Sequence, residues 1–146
     1  MGYNPPVLQV PGPETEFAWP VRVYYEDTDR GGVVYYANYL RFFERARTEW
    51  LRALGVDQER MAREHGLGFV VVRAEIDFRA GARLDDLLTV TVRAFQRHRA
   101  SLWLAQQARL ADGRVCAQAR IRAACVRLRD LRPQPLPAAL RAAIGA

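Results

Sequence analysis

Two aspartates, a pair of glycines and the start of a helix follow one another closely in the first third of the chain. Asp27 and Asp29 are two residues apart, so in an extended segment their carboxylates point the same way, and one can act as a base or nucleophile while its neighbour orients it. Gly31 and Gly32 let backbone come close to a ligand. The helix start offers unpaired N–H groups and the positive end of a dipole, which suit an oxyanion. The stretch predicts acyl-transfer chemistry, with turn formation and helix capping as the structural alternative.

Hydrophobic periodicity predicts the elements on either side of this junction. Val21, Val23 and Tyr25 alternate with more polar residues, which indicates a strand with one buried face. After the glycines, apolar residues recur at steps of three and four and predict a helix of about 17–20 residues. These apolar residues are Tyr36, Tyr39, Leu40, Phe43, Ala46, Trp50, Leu51 and Leu54. A short second helix is predicted for residues 57–65.

Four strand-like segments make up most of the remaining chain. They are FVVVRAEIDF, with Val70, Val72, Ala74, Ile76 and Phe78 on one face, followed by DLLTVTVRAF, SLWLAQQARLA and VCAQARIRAACVRL. A long antiparallel meander with one early helix must bury that helix against one sheet face, so the fold class is predicted as α+β. We expect a flexible tail over residues 1–18, one domain over 19–132 and a C-terminal short helix or tail over 133–146.

Length and composition favour one globular domain. The chain has 146 residues with 50% hydrophobic content, which is enough for one substantial core. No apolar run reaches the ~20 residues that span a bilayer and no signal peptide is indicated, so we expect a cytoplasmic protein, with peripheral association at the inner membrane as an alternative. Cys116 and Cys125 share one predicted strand without metal-ligand spacing and are expected to be buried free thiols.

The net charge is +6, and all 22 basic residues are arginines. Residues 79–146 hold thirteen of these arginines against four acidic residues. An anionic ligand, an acidic partner or a solvated sheet face can each account for this excess. Because the arginines alternate along strands without interleaved aromatic residues, no nucleic-acid partner is predicted.

The stretch VRVYYEDTDRGGVVYYANYLRFFERARTEWLR closely resembles the signature of hotdog-fold acyl-CoA thioesterases, in the 4-hydroxybenzoyl-CoA thioesterase-like group that includes the bacterial Tol-Pal-associated enzymes. This resemblance implies a long central helix wrapped by a curved antiparallel sheet of about five strands. It also implies homo-oligomers, as dimers or dimers of dimers, with sites at subunit interfaces. The implied reaction is hydrolysis of acyl-CoA, or of an acyl carrier protein conjugate, to a carboxylic acid and a free thiol. The alternative is a non-catalytic acyl-CoA-binding or scaffold protein.

The resemblance assigns the catalytic roles residue by residue. The second Asp of the D-x-D pattern, Asp29, is the catalytic carboxylate, acting as nucleophile or as general base on water, and Asp27 supports it. The backbone N–H of Tyr36 polarises the thioester carbonyl. The Tol-Pal-associated proteins usually have His where this chain has Tyr36, so the acyl preference stays open. Another hotdog branch uses a helix carboxylate, but pairing of Glu44 with Arg47 at helical spacing favours a structural role for Glu44 here.

Five further residues are assigned to substrate binding. Gly32, Val33 and Asn38 border the turn and the helix start. Arg97 and Arg99 lie in a strand connection where related enzymes place cationic contacts to the CoA phosphates, and guanidinium groups match phosphate geometry. No metal site and no cofactor beyond the CoA of the substrate are predicted.

Overall fold

The computed structural model describes residues 16–144 and confirms the predicted α+β class. Within these residues, five strands form one antiparallel sheet in the order β1-β3-β4-β5-β2, so β1 and β2 are its edges. None of the helices has the length and apolar character needed to cross a membrane in this part of the chain. The elements are β1 (Phe17–Arg22), a 3₁₀ turn (Tyr25–Asp27), α1 (Asn38–Ala53), α2 (Gln58–His65), β2 (Leu67–Phe78), β3 (Leu87–Arg97), β4 (Ser101–Arg109), β5 (Val115–Arg127) and α3 (Ala138–Ile144).

The first strand begins and ends earlier than predicted, because the residues expected at its end enter a 3₁₀ turn. β1 begins inside the segment 1–18 that the sequence predicts as a tail, and most of that segment lies outside the described residues. The chain then enters the 3₁₀ turn instead of staying extended to Tyr25. In this turn, the Oδ2 atom of Asp27 accepts a hydrogen bond of 2.8 Å from the Tyr24 N–H. Such local side-chain bonds let Asp compete with strand pairing.

Strand β2 contains a β-bulge that changes which of its side chains face the helix. Its pairing with β5 shifts register between Val71 and Arg73, and the side chains on either side of the extra residue therefore switch faces. The prediction that Val70 and Val72 share one face with Ala74, Ile76 and Phe78 is wrong. The residues that pair with β5 positions in the hydrophobic core are Phe69 and Val71 before the bulge, and Ala74, Ile76 and Phe78 after it.

Helix α1 packs on the inner face of the sheet over β1, β3 and β4. Its 16 residues extend for about 24 Å. The helix contributes Tyr39, Phe42, Phe43, Ala46, Trp50 and Leu51 to the buried core, which they share with Leu88, Val90 and Leu104 of the sheet. Cys116 and Cys125 are buried and free, as predicted. The predicted packing of one long helix on an antiparallel sheet is therefore confirmed.

A buried glutamine fastens the middle of α1 to the sheet. Gln106 of β4 has no exposed surface, and its Nε2 donates to the carbonyl oxygens of Phe43 at 3.1 Å and Thr91 at 3.2 Å. Its Oε1 accepts a 2.9 Å hydrogen bond from an Nη atom of Arg47. Burial lowers the pKa of Arg47, while the charge of Glu44 opposes that shift. Arg47 thus hydrogen-bonds Gln106. Its interaction with Glu44 is electrostatic, without the predicted direct pairing.

Replacing Gln106 by Leu should keep the side-chain volume and remove all three hydrogen bonds. We expect a loss of about 2–3 kcal/mol in the free energy of unfolding, because an Arg47 donor is left unpaired in a partly buried place. Urea denaturation measures this loss. Gln96→Leu, at an exposed position of β3, is the control and should stay within about 0.5 kcal/mol. Equal stability of the two variants would contradict the role given to Gln106.

Candidate active site

A short hairpin between the 3₁₀ turn and α1 carries the predicted catalytic carboxylate. Thr28 and Val34 form an antiparallel bridge, and the Asp29 N–H donates to the carbonyl oxygen of Val33 at 2.9 Å. The Gly32 N–H donates back to the carbonyl oxygen of Asp29 at 3.0 Å. Gly32 has a φ of +79°, which favours glycine. The structure thus places Gly32 and Val33 in the same hairpin as Asp29.

The Asp29 carboxylate is exposed and has one oxygen free of protein donors. Its Oδ1 accepts a 2.8 Å hydrogen bond from the Gly31 N–H. Among residues 16–144, no donor bonds its Oδ2. A Cβ atom on Gly31 would lie 3.2 Å from Oδ1, so the missing side chain permits this close approach. Asp29 opens onto a surface depression that it lines with Tyr25, Thr28, Arg30, Gly32 and Leu84.

Asp27 is buried and holds the local structure together. Besides its carboxylate bond to Tyr24, its carbonyl oxygen accepts 2.9 Å hydrogen bonds from the Tyr35 N–H and from Nδ2 of Asn38. The expectation that Asp27 and Asp29 point the same way is wrong, because Asp27 lies in a 3₁₀ turn and not in an extended segment. The side chain of Asn38, assigned to substrate, is instead used to fix the start of α1.

The backbone N–H of Tyr36 is available to a ligand. The N–H groups of Tyr35 and Asn38 donate to the carbonyl oxygens of Asp27 and Tyr35, whereas those of Tyr36 and Ala37 have no acceptor among residues 16–144. Tyr36 lies two residues before α1, where the helix dipole is positive. The free donor and the exposed carboxylate of Asp29 therefore belong to the same short segment.

Aromatic rings surround this free donor. Tyr36 is 59% exposed, with its ring centroid 4.9 Å from that of Tyr35 and 5.7 Å from that of Phe78 on β2. The Tyr36 phenol raises the pKa of Tyr35, and the Asp29 carboxylate adds to this effect. The charge of Asp29 therefore acts on the aromatic group that contains Tyr36.

Arg97 and Arg99 lie at the other end of the sheet from Asp29. Strand β3 pairs with Arg22 at its first residue and ends at Arg97 ten residues later, a length of about 33 Å. An Nη atom of Arg97 donates to the carbonyl oxygen of Arg141 in α3 at 3.0 Å. Within one chain, the structure does not bring these two arginines to the site.

A cation that the sequence did not single out lies beside the turn. An Nη atom of Arg83 is 3.6 Å from the place of a Cβ on Gly32, and Arg83 forms a backbone bridge with Val33. Pairing between distant segments put Arg83 here, so local patterns could not show it.

Known proteins resemble this chain along most of its length. Residues 23–144 match the family model described as the thioesterase-like superfamily. The chain belongs to that superfamily. It is 45% identical to the acyl-CoA thioesterase YbgC of Haemophilus influenzae over 87% of this chain and 93% of that protein, and 42% identical to the acyl-CoA thioester hydrolase YbgC of Escherichia coli O157:H7 over 84% and 91%.

Solved structures show the same fold. A probable thioesterase from Bartonella henselae has a TM-score of 0.79 and 34% identity, and the match covers 84% of this chain and all of that one. A 1,4-dihydroxy-2-naphthoyl-CoA thioesterase from Synechocystis has a TM-score of 0.82 and 27% identity, over 88% and 95%. The predicted resemblance to hotdog-fold thioesterases is confirmed.

The two aspartates should respond differently to removal of their side chains. Asp27→Ala leaves the Tyr24 N–H without its acceptor, so we expect a loss of about 1–3 kcal/mol in the free energy of unfolding. Asp29→Ala removes an exposed side chain and should change that free energy by no more than about 0.5 kcal/mol. Chemical denaturation of both variants measures the difference. A large loss in Asp29→Ala would show that Asp29 is needed for the fold.

Proposed function

We propose that the chain is an acyl-CoA thioesterase in which Asp29 and the Tyr36 N–H act on the thioester. The unpaired Tyr36 N–H at the start of α1, in the same segment as an exposed carboxylate, carries this proposal. Membership of the thioesterase-like superfamily and the names of the YbgC relatives support the reaction and the substrate class.

The Tyr36 N–H donates to the carbonyl oxygen of the thioester, and the start of α1 stabilises the negative charge that grows there during attack. Asp29 acts in one of two ways. As a nucleophile, it forms a mixed anhydride with the acyl group and releases the CoA thiolate, and water then hydrolyses the anhydride. As a general base, it takes a proton from the attacking water. In both routes water supplies the oxygen of the acid, and CoA leaves as the free thiol.

The cationic contact to CoA in the same subunit is assigned to Arg83. It lies beside Gly32, and its guanidinium makes no ion pair with any residue of the described chain. Such a free guanidinium suits a phosphate group. Arg97 and Arg99, the predicted contacts, lie at the far end of the sheet and reach a substrate at Asp29 only from a second subunit.

The edge strand β2 is the proposed surface for pairing two subunits. It is twelve residues long, and Val71, Val72 and Phe78 on it are each about half exposed. Long apolar edge strands pair readily with other chains. Two copies related by a two-fold axis pair these strands antiparallel, so the Leu67 end of the partner faces the Phe78 end of the first subunit. Because Tyr36 contacts Phe78, each site then lies at the interface.

Asp29→Asn should keep the fold and CoA binding while lowering kcat/KM for acyl-CoA by about 10²–10⁴-fold, because the base or nucleophile is lost. Asp112→Asn, in the exposed turn between β4 and β5, is the matched control and should hydrolyse normally. A thiol-detection assay over short, long and aromatic acyl-CoAs, with acyl carrier protein conjugates alongside, measures the rates. Near-normal hydrolysis by Asp29→Asn would overturn the assignment, and binding without hydrolysis by the unaltered protein would favour the non-catalytic alternative.

Val72→Lys tests the pairing of subunits. Val72 is 54% exposed in the single chain, so a lysine there leaves the subunit fold intact and blocks edge pairing. Sedimentation should show monomers, with lower activity because each site loses its partner. Leu87→Lys, at an exposed position on β3 near the opposite edge, should keep the oligomeric state. An unchanged mass for Val72→Lys would mean that subunits associate elsewhere.

A further inference from the structure

The sulfur of the thioester needs a proton donor when Asp29 attacks as a nucleophile. Attack gives a tetrahedral intermediate with two leaving groups, the Asp29 carboxylate and the CoA thiolate. Carboxylates are much weaker bases than thiolates, so the carboxylate leaves more readily and the intermediate returns to substrate. A proton given to the sulfur during cleavage of the C–S bond reverses this preference. Formation of products therefore depends on an acid beside the sulfur.

Few side chains of this protein can act as that acid. The sequence has no lysine, and arginine does not give up its proton. Of the two histidines, His65 directly precedes β2 and His98 lies in the turn between β3 and β4, so both are at the end of the sheet opposite to Phe78. In the hairpin, the Thr28 hydroxyl already donates to the carbonyl oxygen of Tyr25. Phenols are the remaining candidates near Asp29.

Tyr36 holds a phenol beside the reacting atoms. In the proposed function its N–H binds the thioester oxygen, so its side chain starts within the same site. The residue is 59% exposed, yet its ring packs edge-to-face with that of Phe78, with an interplanar angle of 87°. The ring therefore has a fixed neighbour while much of the side chain stays open to a ligand.

Tyr35 supports the release of the proton from Tyr36. The two rings are adjacent, and their phenols share a hydrogen bond. The Tyr36 phenol and, to a smaller extent, the Asp29 carboxylate raise the pKa of Tyr35, so Tyr35 keeps its proton. Its O–H can then donate to the Tyr36 oxygen once that oxygen is a phenolate, and hydrogen bonds to charged acceptors are the stronger ones.

We infer that the Tyr36 phenol is a second catalytic group, which protonates the CoA sulfur while Asp29 attacks the acyl carbon. Asp29 forms the C–O bond of the mixed anhydride, the electron pair of the C–S bond goes to sulfur, and the phenol proton moves to the same sulfur. Water then attacks the anhydride and gives a proton to the phenolate, which restores the phenol and releases the acid and the Asp29 carboxylate. The inference rests on the proposed thioesterase function and adds a proton donor to it.

Tyr36→Phe tests the donor, because it keeps the ring and the backbone N–H and removes only the hydroxyl. We expect kcat/KM for an acyl-CoA to fall by roughly 10²-fold. For the nitrothiophenyl thioester of the same acid, the fall should stay below about 3-fold, because the aromatic thiolate is a weak base that leaves without a proton. Absorbance assays follow release of either thiol. Tyr24→Phe, at a 60% exposed position before the 3₁₀ turn, is the matched control and should keep both rates.

Tyr35→Phe should give the same selective loss at a smaller size, about 3–10-fold on acyl-CoA, because the phenolate loses one hydrogen bond. An equal fall on both thioesters in Tyr36→Phe would mean that the hydroxyl acts on binding or shape, and an unchanged rate on acyl-CoA would mean that another group supplies the proton. Either result overturns the inference. Asp29→Asn should lose hydrolysis of both thioesters, since attack itself is lost. Normal hydrolysis of acyl-CoA by Asp29→Asn would instead refute the proposed function, whatever Tyr36 does.

Discussion

The carbonyl oxygen of Asp27 accepts two hydrogen bonds, and the geometry of the site depends on them. One comes from the Tyr35 N–H and the other from the side chain of Asn38, while the carboxylate of the same residue closes the 3₁₀ turn on Tyr24. Asp27, a single buried residue, thus fixes the chain where it leaves β1, the hairpin and the start of α1. Between these two anchored residues, Tyr35 and Asn38, the Tyr36 and Ala37 N–H groups have no acceptor among residues 16–144 and are free for a ligand.

The sheet also fixes the position of the helix start, through contacts with the middle of α1. Gln106 holds the middle of α1 by the Phe43 carbonyl and Arg47, so the helix cannot slide along the sheet without breaking buried hydrogen bonds. Fixed at its middle, the helix presents its start to Phe78 of β2 at one end and leaves a space beside β2 at the other. The position of α1 therefore has two consequences: it places the donor for an oxyanion, and it leaves room for an acyl group.

Much of the fold could be predicted because its patterns are local. Alternation identified the last four strands, three-to-four spacing identified α1, and helix start and stop signals identified α2. Asp27 was misjudged because a side chain that bonds its own backbone overrides strand periodicity. The bulge in β2 was not predicted either, because one extra residue reverses the alternation of side chains without any change in composition.

The parts of the site that could not be predicted depend on contacts between distant segments. Arg83 lies beside Gly32 because its backbone forms a bridge with Val33. Arg97 lies far from Asp29 because of the length and direction of β3. The sequence close to Arg83 or to Arg97 does not determine either position. The space between α1 and β2 is harder still to predict, because it lies where α1 does not cover the sheet and is lined by residues from six elements.

The β-bulge between Val71 and Arg73 divides β2 into two halves. Phe78, beyond it, belongs to the aromatic group at the reacting end, while Phe69 and Val71, before it, line the space between α1 and β2. Simple alternation along the same residues, without the bulge, would turn Val70 inward and turn Phe69 and Val71 outward. The extra residue therefore lets Val71 and Phe78, an odd number of residues apart, face the same side of the sheet.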